Sequence, residues 1–260
     1  MADFTTLSAT IDTDLDERGR VGRLTIEQPD KLNPLGTRCL AEIAEAAAWF
    51  DTTEASIVIV SGRGRAFSSG FDLREFANGP AGLTPRAQAD LGRLMAEAMD
   101  RMQALTVAAI AGPCVGGGLV LAGCCDLRVA ADDTRFSIPE VDLGIPLAWG
   151  GIPRLVREIP PAIVRELVLT CRPFDADEAL SIGFLNRVVA RDDLESTVDE
   201  LARSLALKAP SVVRATKRQV NEALEDMAST TGAWADADQL GVAMADPEAR
   251  AAAQEYLARR

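Results

Sequence analysis

The hydrophobic positions of the chain follow two patterns: short unbroken apolar runs and longer stretches with helical spacing. The apolar runs predict strands at residues 21–27, 56–60, 107–111 and 127–130, and the run at 56–60 is typical of a strand buried on both faces. Apolar residues three and four apart predict helices over residues 37–50, 87–105, 116–124, 163–170, 177–181, 193–207 and 212–227, the first of them capped by Thr37. Strands and helices alternate early and helices dominate after residue 161. This order predicts an α/β core with a helical C-terminal region.

Two turns of small residues follow predicted strands. The segment 65–73 reads RAFSSGFDL, and the segment 111–118 reads AGPCVGGG. Small residues let the backbone approach a ligand closely, and Gly117 offers its N–H at the start of a predicted helix. Taken singly, each turn is also explained by the use of glycine in tight turns. Together with the carboxyl group of Glu140, however, two sets of exposed N–H groups are what a thioester enolate requires.

Composition and charge narrow the classes of function. The 260 residues include 48% hydrophobic residues and carry a net charge of −12, which disfavours nucleic acid and anionic membranes as partners. The apolar run at 105–125 is divided by Pro113 and several glycines, and residues 1–16 lack the pattern of a secretory signal. We therefore expect a soluble cytoplasmic protein. The segment 78–85 contains Gly and Pro and is expected to be mobile.

The absence of histidine limits the chemistry that this chain can perform. It removes Ser-His-Asp and Cys-His catalysis in their usual forms and leaves a metal site without its commonest ligand, so we expect no metal. Five cysteines without C-x-x-C spacing indicate buried, reduced thiols. The SGRGR segment at 61–65 lacks the third glycine of a dinucleotide-binding loop, since Phe67 stands there.

Several motifs in register resemble those of the crotonase superfamily, the enoyl-CoA hydratase/isomerase family. They are QPDKLNPL with Pro29 and Asn33, RAFSSGFDL, AGPCVGGG, CDLRVAA at 125–131, FSIPE at 136–140, LGI and GG at 143–151, GFLNRVV at 183–189 and the lysine of RATKRQVNEAL. The resemblance covers nearly the whole chain. It implies a spiral of β-β-α units at residues 1–195 and a helical trimerisation region at 196–260, with a trimer or hexamer as the assembly. It also implies an acyl-CoA substrate and no cofactor beyond the coenzyme A of that substrate.

The resemblance also implies roles for individual residues. The N–H groups of Phe71 and Gly117 would form an oxyanion hole, and Ser69 would lie against the adenine. Arg74 and Lys217 would lie near the coenzyme A phosphates, although exposed basic side chains of this kind also occur simply as solvated surface charges.

The chain departs from the family pattern at one carboxylate. Hydratases of this family hold water between two glutamates, and this chain keeps the second as Glu140 but has Val120 at the position of the first. Asp142 could assist through a water molecule. Ala148 stands where some dienoyl isomerases and dehalogenases carry an aspartate, and Trp149 would narrow the acyl pocket or serve packing alone.

A single carboxylate suits double-bond isomerisation better than hydration, because it can remove a proton from one carbon of an enolate and return it to another. Burial would raise the pKa of Glu140 toward neutrality, as this role requires. Two alternatives stay open: an acyl-CoA-binding protein without catalysis, and a thioester hydrolase or decarboxylase that uses the same oxyanion hole.

Overall fold

The computed structural model describes residues 4–78 and 82–258, except for the side chains of residues 76–78 and 85. The strands in this part of the chain are β1 (Leu7–Ile11), β2 (Val21–Ile26), β3 (Ile57–Gly62), β4 (Leu105–Ile110), β5 (Pro113–Val115), β6 (Leu127–Ala131), β7 (Arg135–Ser137), β8 (Phe174–Asp175) and β9 (Arg187–Val189). The helices are α1 (Thr37–Phe50), α2 (Leu73–Asn78), α3 (Pro85–Arg101), α4 (Gly117–Gly123), α5 (Gly151–Glu158), α6 (Pro161–Thr170), α7 (Ala176–Ser181), α8 (Leu194–Ala206), α9 (Pro210–Met227), α10 (Asp236–Ala245) and α11 (Pro247–Ala258).

Two sheets organise the core. The larger sheet has the order β1-β2-β3-β4-β6-β9, and all its neighbouring pairs are parallel except β1 with β2. The smaller sheet has the order β5-β7-β8. The chain leaves β4 for β5 and then α4 before it returns to the large sheet at β6. The predicted spiral of β-β-α units is therefore confirmed.

The large sheet is buried on both faces. In β3, Val58 and Val60 pack into the main core with α1 and α3, whereas Ile57 and Ile59 pack against α8 on the opposite face. Their alternation follows the period of two in a strand. The prediction of a strand buried on both faces is confirmed at this position. The loops that carry the two small-residue turns follow β3 and β4 at the carboxyl edge of this sheet.

Helices make up the C-terminal region, as predicted. The proposed division after residue 195 falls inside α8, whose Val198, Ala202 and Ala206 are buried against the large sheet. Helix α8 therefore packs with the core, and α9, α10 and α11 follow it. No helix in the described ranges is long and apolar enough to cross a membrane.

Several element boundaries differ from the predictions. Thr37 is the first residue of α1 and does not cap it: Gly36 precedes the helix, and the Thr37 N–H donates to Glu75 Oε2 at 2.9 Å. Helix α3 ends at Arg101 because Met102 takes an extended backbone, with φ −53° and ψ 131°. The patterns also missed β1, β5, β7, β8 and β9 as well as α2, α5, α10 and α11. Of the segment expected to be mobile, residues 79–81 lie outside the described residues.

Candidate active site

Buried polar side chains fix the turn that carries Phe71. The Asn33 side-chain amide is fully buried and donates to the Ala66 carbonyl at 2.7 Å. The Ser68 hydroxyl donates to the Asn33 carbonyl at 2.8 Å and accepts the Gly70 N–H at 3.1 Å. Because these groups have no contact with bulk water, losing one of these hydrogen bonds would leave a buried polar atom without a partner. The turn is therefore held in one conformation.

The two small-residue turns lie side by side, as the sequence suggested. The Val115 N–H donates to the Ser68 carbonyl at 3.0 Å. Gly70 has a φ of +86°, and a β-carbon there would lie 2.6 Å from the Val115 carbonyl oxygen, so only glycine fits. Within the described residues, the backbone hydrogen bonds include none donated by the N–H of Phe71, and Gly117 is the first residue of α4, where N–H groups have no intrahelical partner.

Glu140 follows β7 and points toward the second turn. Gly116 has a φ of +51°, and a β-carbon there would come within 2.5 Å of Glu140 Oε1. Glu140 Oε2 is buried and has no hydrogen-bond partner among the described residues. Burial disfavours the charged carboxylate and raises the pKa of Glu140 from 4.5 to about 7, against a smaller opposing effect of its own backbone N–H.

These groups meet in a cavity of about 290 Å³. Its described lining comprises Phe71, Gln88, Ala89, Gly117, Val120, Glu140, Ile145, Pro146, Leu147, Ala148, Trp149, Leu240 and Met244. Glu140 and Gln88 contribute the carboxyl and amide groups, and the other side chains are apolar or aromatic. The structure thus brings five of the predicted residues together: Phe71, Gly117, Glu140, Val120 and Trp149.

The cavity wall has no second carboxylate in the described part of the chain. Val120 is 1% exposed and lines the cavity with its apolar side chain. Asp142 is exposed and lies outside the lining, so its placement does not support the suggested assistance through a water molecule. Among the described lining residues, Glu140 is therefore the one that carries a carboxyl group.

Trp149 closes one side of the cavity. Its indole lies against the backbone at Gly92 and Gly117, where a β-carbon on either glycine would overlap the ring. The ring also meets Phe71 edge-on, with centroids 6.1 Å apart and an interplanar angle of 78°. Such edge-to-face pairs are favourable beyond the area that they bury. Trp149 therefore contacts both of the turns that carry the unpaired N–H groups.

The backbone around Trp149 is held in an uncommon conformation. Trp149 has a φ of +64°, which few residues other than glycine adopt. The buried Arg154 donates to the carbonyls of Trp149 at 3.0 Å and Gly150 at 3.1 Å, and it pairs with Asp100 at 2.5 Å. From α10, Asp236 Oδ2 accepts the Gly150 N–H at 2.7 Å. These contacts hold the backbone of the turn in this conformation.

The residues expected to bind coenzyme A lie apart from the cavity lining. Ser69 is half-buried beside Phe71, and Arg74 is exposed on α2. Lys217 is buried: its ammonium pairs with Asp126 at 2.8 Å and donates to the Ala104 carbonyl at 2.8 Å. This placement does not support the predicted phosphate contact of Lys217, because the cation is already neutralised by a carboxylate in the same chain.

The buried positions of the cysteines indicate a role in packing. All five are buried and free, as the sequence indicated. Burial raises the pKa of Cys39 and of Cys124 to about 12, which keeps these thiols protonated and poorly nucleophilic. In residues 4–78 and 82–258, no group of three or more acidic or cysteine side chains could hold a metal ion.

Two paired turns with free N–H groups, beside one buried carboxyl group on a β-β-α spiral, define a protein of the crotonase class. The chain belongs to the enoyl-CoA hydratase/isomerase family, whose model matches residues 16–260. It is 36% identical over 224 residues to a probable enoyl-CoA hydratase, echA8, of Mycobacterium tuberculosis, covering 85% of each chain. It is 31% identical over 251 residues to the crotonyl-CoA hydratase of Syntrophomonas wolfei, covering 95% of each. These relatives make it an enzyme of this family that acts on acyl-CoA.

A solved structure agrees with this assignment. The enoyl-CoA hydratase/isomerase from Xanthobacter autotrophicus Py2 superposes with a TM-score of 0.84 at 29% identity, covering 96% of this chain and 91% of that one.

The sequence patterns do not indicate the lining residues that α3 and α10 contribute. Gln88 comes from the first turns of α3, and Leu240 and Met244 come from α10. None belongs to a motif, and the pattern over 236–245 did not predict a helix. Their place in the site depends on how α3 and α10 pack together, which no local signal reveals.

Proposed function

We propose that this enzyme moves the double bond of an enoyl-CoA and that Glu140 is its single proton shuttle. Glu140 removes a proton from C2 of a 3-enoyl-CoA, and the electron pair moves to give a dienolate. The dienolate oxygen accepts hydrogen bonds from the N–H groups of Phe71 and Gly117. Glu140 then returns the proton to C4, and the product is a 2-enoyl-CoA.

The state of Glu140 is the observation that carries this proposal. Its Oε2 atom is buried, has no hydrogen-bond partner in the part of the chain that the structure describes, and lines an otherwise largely apolar cavity. With its pKa raised to about 7, the group releases and accepts a proton near neutral pH, which is the optimum for a general acid–base. A carboxyl group that served structure alone would be hydrogen-bonded at both oxygens.

The free N–H groups support the enolate step. Two preorganised donors of this kind contribute about 3 kcal/mol each to transition-state stabilisation. Gly117 also lies at the first position of α4, where N–H groups point out of the helix. The buried Ser68 keeps the first turn against the second, so the donors need no rearrangement when charge develops on the oxygen.

For the coenzyme A portion, we propose that Ser69 lies against the adenine and that Arg74 lies near the phosphates. Both are outside the acyl cavity and accessible, as such contacts require. We leave Lys217 out of this group because Asp126 already pairs with it.

Hydration is the second candidate, and one observation favours it: the relatives from M. tuberculosis and S. wolfei are described as hydratases. Water addition requires a group that holds the attacking water. Val120, which stands at the position of the first family glutamate, cannot accept or donate a hydrogen bond. Its apolar side chain is the reason for ranking isomerisation first.

We also propose that the chain assembles as a trimer or a pair of trimers. The helical C-terminal region carries exposed apolar side chains, among them Leu207 (73%), Val212 (62%) and Val242 (73%). Such a surface is typical of an interaction site. Light scattering after size exclusion tests this: three or six chain masses support the proposal, and a monomer contradicts it.

Proton NMR in deuterated buffer tests the activity. The protein is incubated with a 3-enoyl-CoA and, separately, with a 2-enoyl-CoA, and wild type is compared with Glu140→Gln. We expect double-bond migration that depends on Glu140, with little water addition. Rapid formation of 3-hydroxyacyl-CoA would favour hydration. Free acid or carbon dioxide would indicate a hydrolase or decarboxylase, and binding without turnover would indicate an acyl-CoA-binding protein.

A further inference from the structure

The cavity holds a second polar group that the proposed proton shuttle does not use. Gln88 lies on α3 and lines the cavity, and its Nε2 atom is buried without a hydrogen-bond partner among the described residues. Glu140 Oε2 is the other unpartnered side-chain atom of the lining. Glu140 accepts a proton in the proposed reaction, whereas Gln88 Nε2 can only donate a hydrogen bond.

An unpartnered amide donor in an apolar wall is costly. Such a group loses its hydrogen bonds to water and gains none in exchange, so buried donors normally have partners. Among the apolar residues that α3 and α10 add to the lining, Ala89 and Leu240 carry no acceptor and Met244 carries only a weakly accepting thioether. An acceptor supplied by the occupant of the cavity would recover that cost.

The charge of the cavity restricts the kind of acceptor. No lysine or arginine is among its described lining residues, and Glu140 adds negative charge whenever it is ionised. A carboxylate on the acyl group would therefore be buried without a countercharge, which is strongly unfavourable. A hydroxyl or carbonyl oxygen carries no such penalty.

The size of the cavity restricts the length of the acyl group. At about 290 Å³ it is slightly smaller than the usual range for small-molecule sites, roughly 300–1,000 Å³. The Arg154 and Asp236 contacts hold the backbone at Trp149, and the indole is packed against Gly92 and Gly117. A cavity of this size therefore favours a short acyl group over a long one.

We propose that the enzyme selects short acyl-CoA thioesters that carry a neutral oxygen, a hydroxyl or a carbonyl, beyond the reacting carbons, and that Gln88 donates a hydrogen bond to that oxygen. This inference rests on the proposed function only in taking the cavity as the acyl site.

Calorimetric titration with unreactive, saturated ligands tests it, because binding is then measured without turnover. The probes are butyryl-CoA and hexanoyl-CoA, their derivatives with a hydroxyl at C4, C5 or C6, and a derivative of equal length with a terminal carboxylate. At least one hydroxylated ligand is expected to bind about tenfold or more tightly than its parent, and the carboxylate ligand more weakly than the hydroxylated one.

The Gln88→Leu variant keeps the size of the side chain and removes the amide. It is expected to abolish the preference for the hydroxylated ligand while the parent binds within about twofold of wild type. Gln103→Leu is the matched control, since Gln103 is exposed and outside the cavity lining. Gln88→Asn, which shortens the amide by one carbon, is expected to weaken the same preference and serves if the leucine variant does not fold.

The outcomes separate the two proposals. A preference that persists in both Gln88 variants, or the lack of any preference in wild type, would overturn this inference alone. If no acyl-CoA binds at all, the proposed function falls and this inference falls with it.

Discussion

Replacing Glu140 with glutamine should change the pH dependence of stability in a defined direction. Glutamine is uncharged and close in shape to a protonated glutamate, so it keeps the packing and removes the titration. The carboxyl group has a pKa of about 7 in the folded protein and an ordinary value near 4.5 when unfolded. Between these values the folded state binds more protons than the unfolded state, so wild-type stability falls as pH rises through this window.

The size of the effect follows from the pKa difference. Each pKa unit corresponds to about 1.36 kcal/mol, so a rise from 4.5 to about 7 costs about 3.4 kcal/mol once the pH is above both values. Between pH 5 and pH 8 the loss amounts to about 2.5 kcal/mol. At pH 5 about 0.8 kcal/mol of the penalty is already present, because the carboxyl group is largely ionised in the unfolded chain. The Glu140→Gln variant should lack this loss altogether.

Urea unfolding of both proteins at pH 5 and at pH 8 measures this effect. Other carboxyl groups, such as Glu42 and Glu225 with pKa values held at about 2 by their hydrogen bonds, titrate alike in both proteins and cancel in the comparison. We expect the variant to gain about 2.5 kcal/mol relative to wild type on going from pH 5 to pH 8. A difference between the proteins that does not depend on pH would refute the buried, unpartnered state of Glu140.

Two further substitutions test the site. Gly117→Ala places a β-carbon into the Trp149 indole, so it should lower kcat/KM at least tenfold and destabilise the protein by about 1–3 kcal/mol. The control for both assays is Gly123→Ala, because Gly123 lies in the same helix with open space around it. Lys217→Met leaves Asp126 without its cationic partner, with only the hydrogen bonds from Thr106 remaining, and should destabilise by about 3 kcal/mol in denaturant unfolding, with the KM for acyl-CoA unchanged. A raised KM at near-normal stability would instead indicate that Lys217 binds coenzyme A. Lys208→Met, at an exposed lysine, is the control.

The central elements of the fold were predictable because their signals are local. The run at β3 is apolar at every position of its first four residues, which indicates a strand covered on both faces, and the glycines at 116–118 mark the turn before α4. The short strands β5 and β7, of three residues each, are too brief to show any alternation. They form because they pair with each other in the smaller sheet, and a local pattern does not show this pairing.

The site was predictable only where residues lie within motifs. Phe71, Gly117 and Glu140 lie within such motifs, and the motifs alone predict their role in the site. Gln88 and Met244 reach the cavity through the packing of α3 with α10, so no pattern around either residue indicates a binding role. Lys217 lies in a motif as well, yet its pairing with Asp126 connects two distant segments and could not be deduced from spacing.

The transfer of a labelled proton within the substrate tests the single-carboxylate account most directly. The probe is a 3-enoyl-CoA carrying deuterium at both C2 positions, followed by mass spectrometry and NMR under single-turnover conditions in ordinary water. If Glu140 alone carries the proton from C2 to C4, part of the deuterium must appear at C4 of the 2-enoyl-CoA, and Glu140→Gln must form no product. Product without any label at C4, formed at an undiminished rate by the variant, would contradict the account.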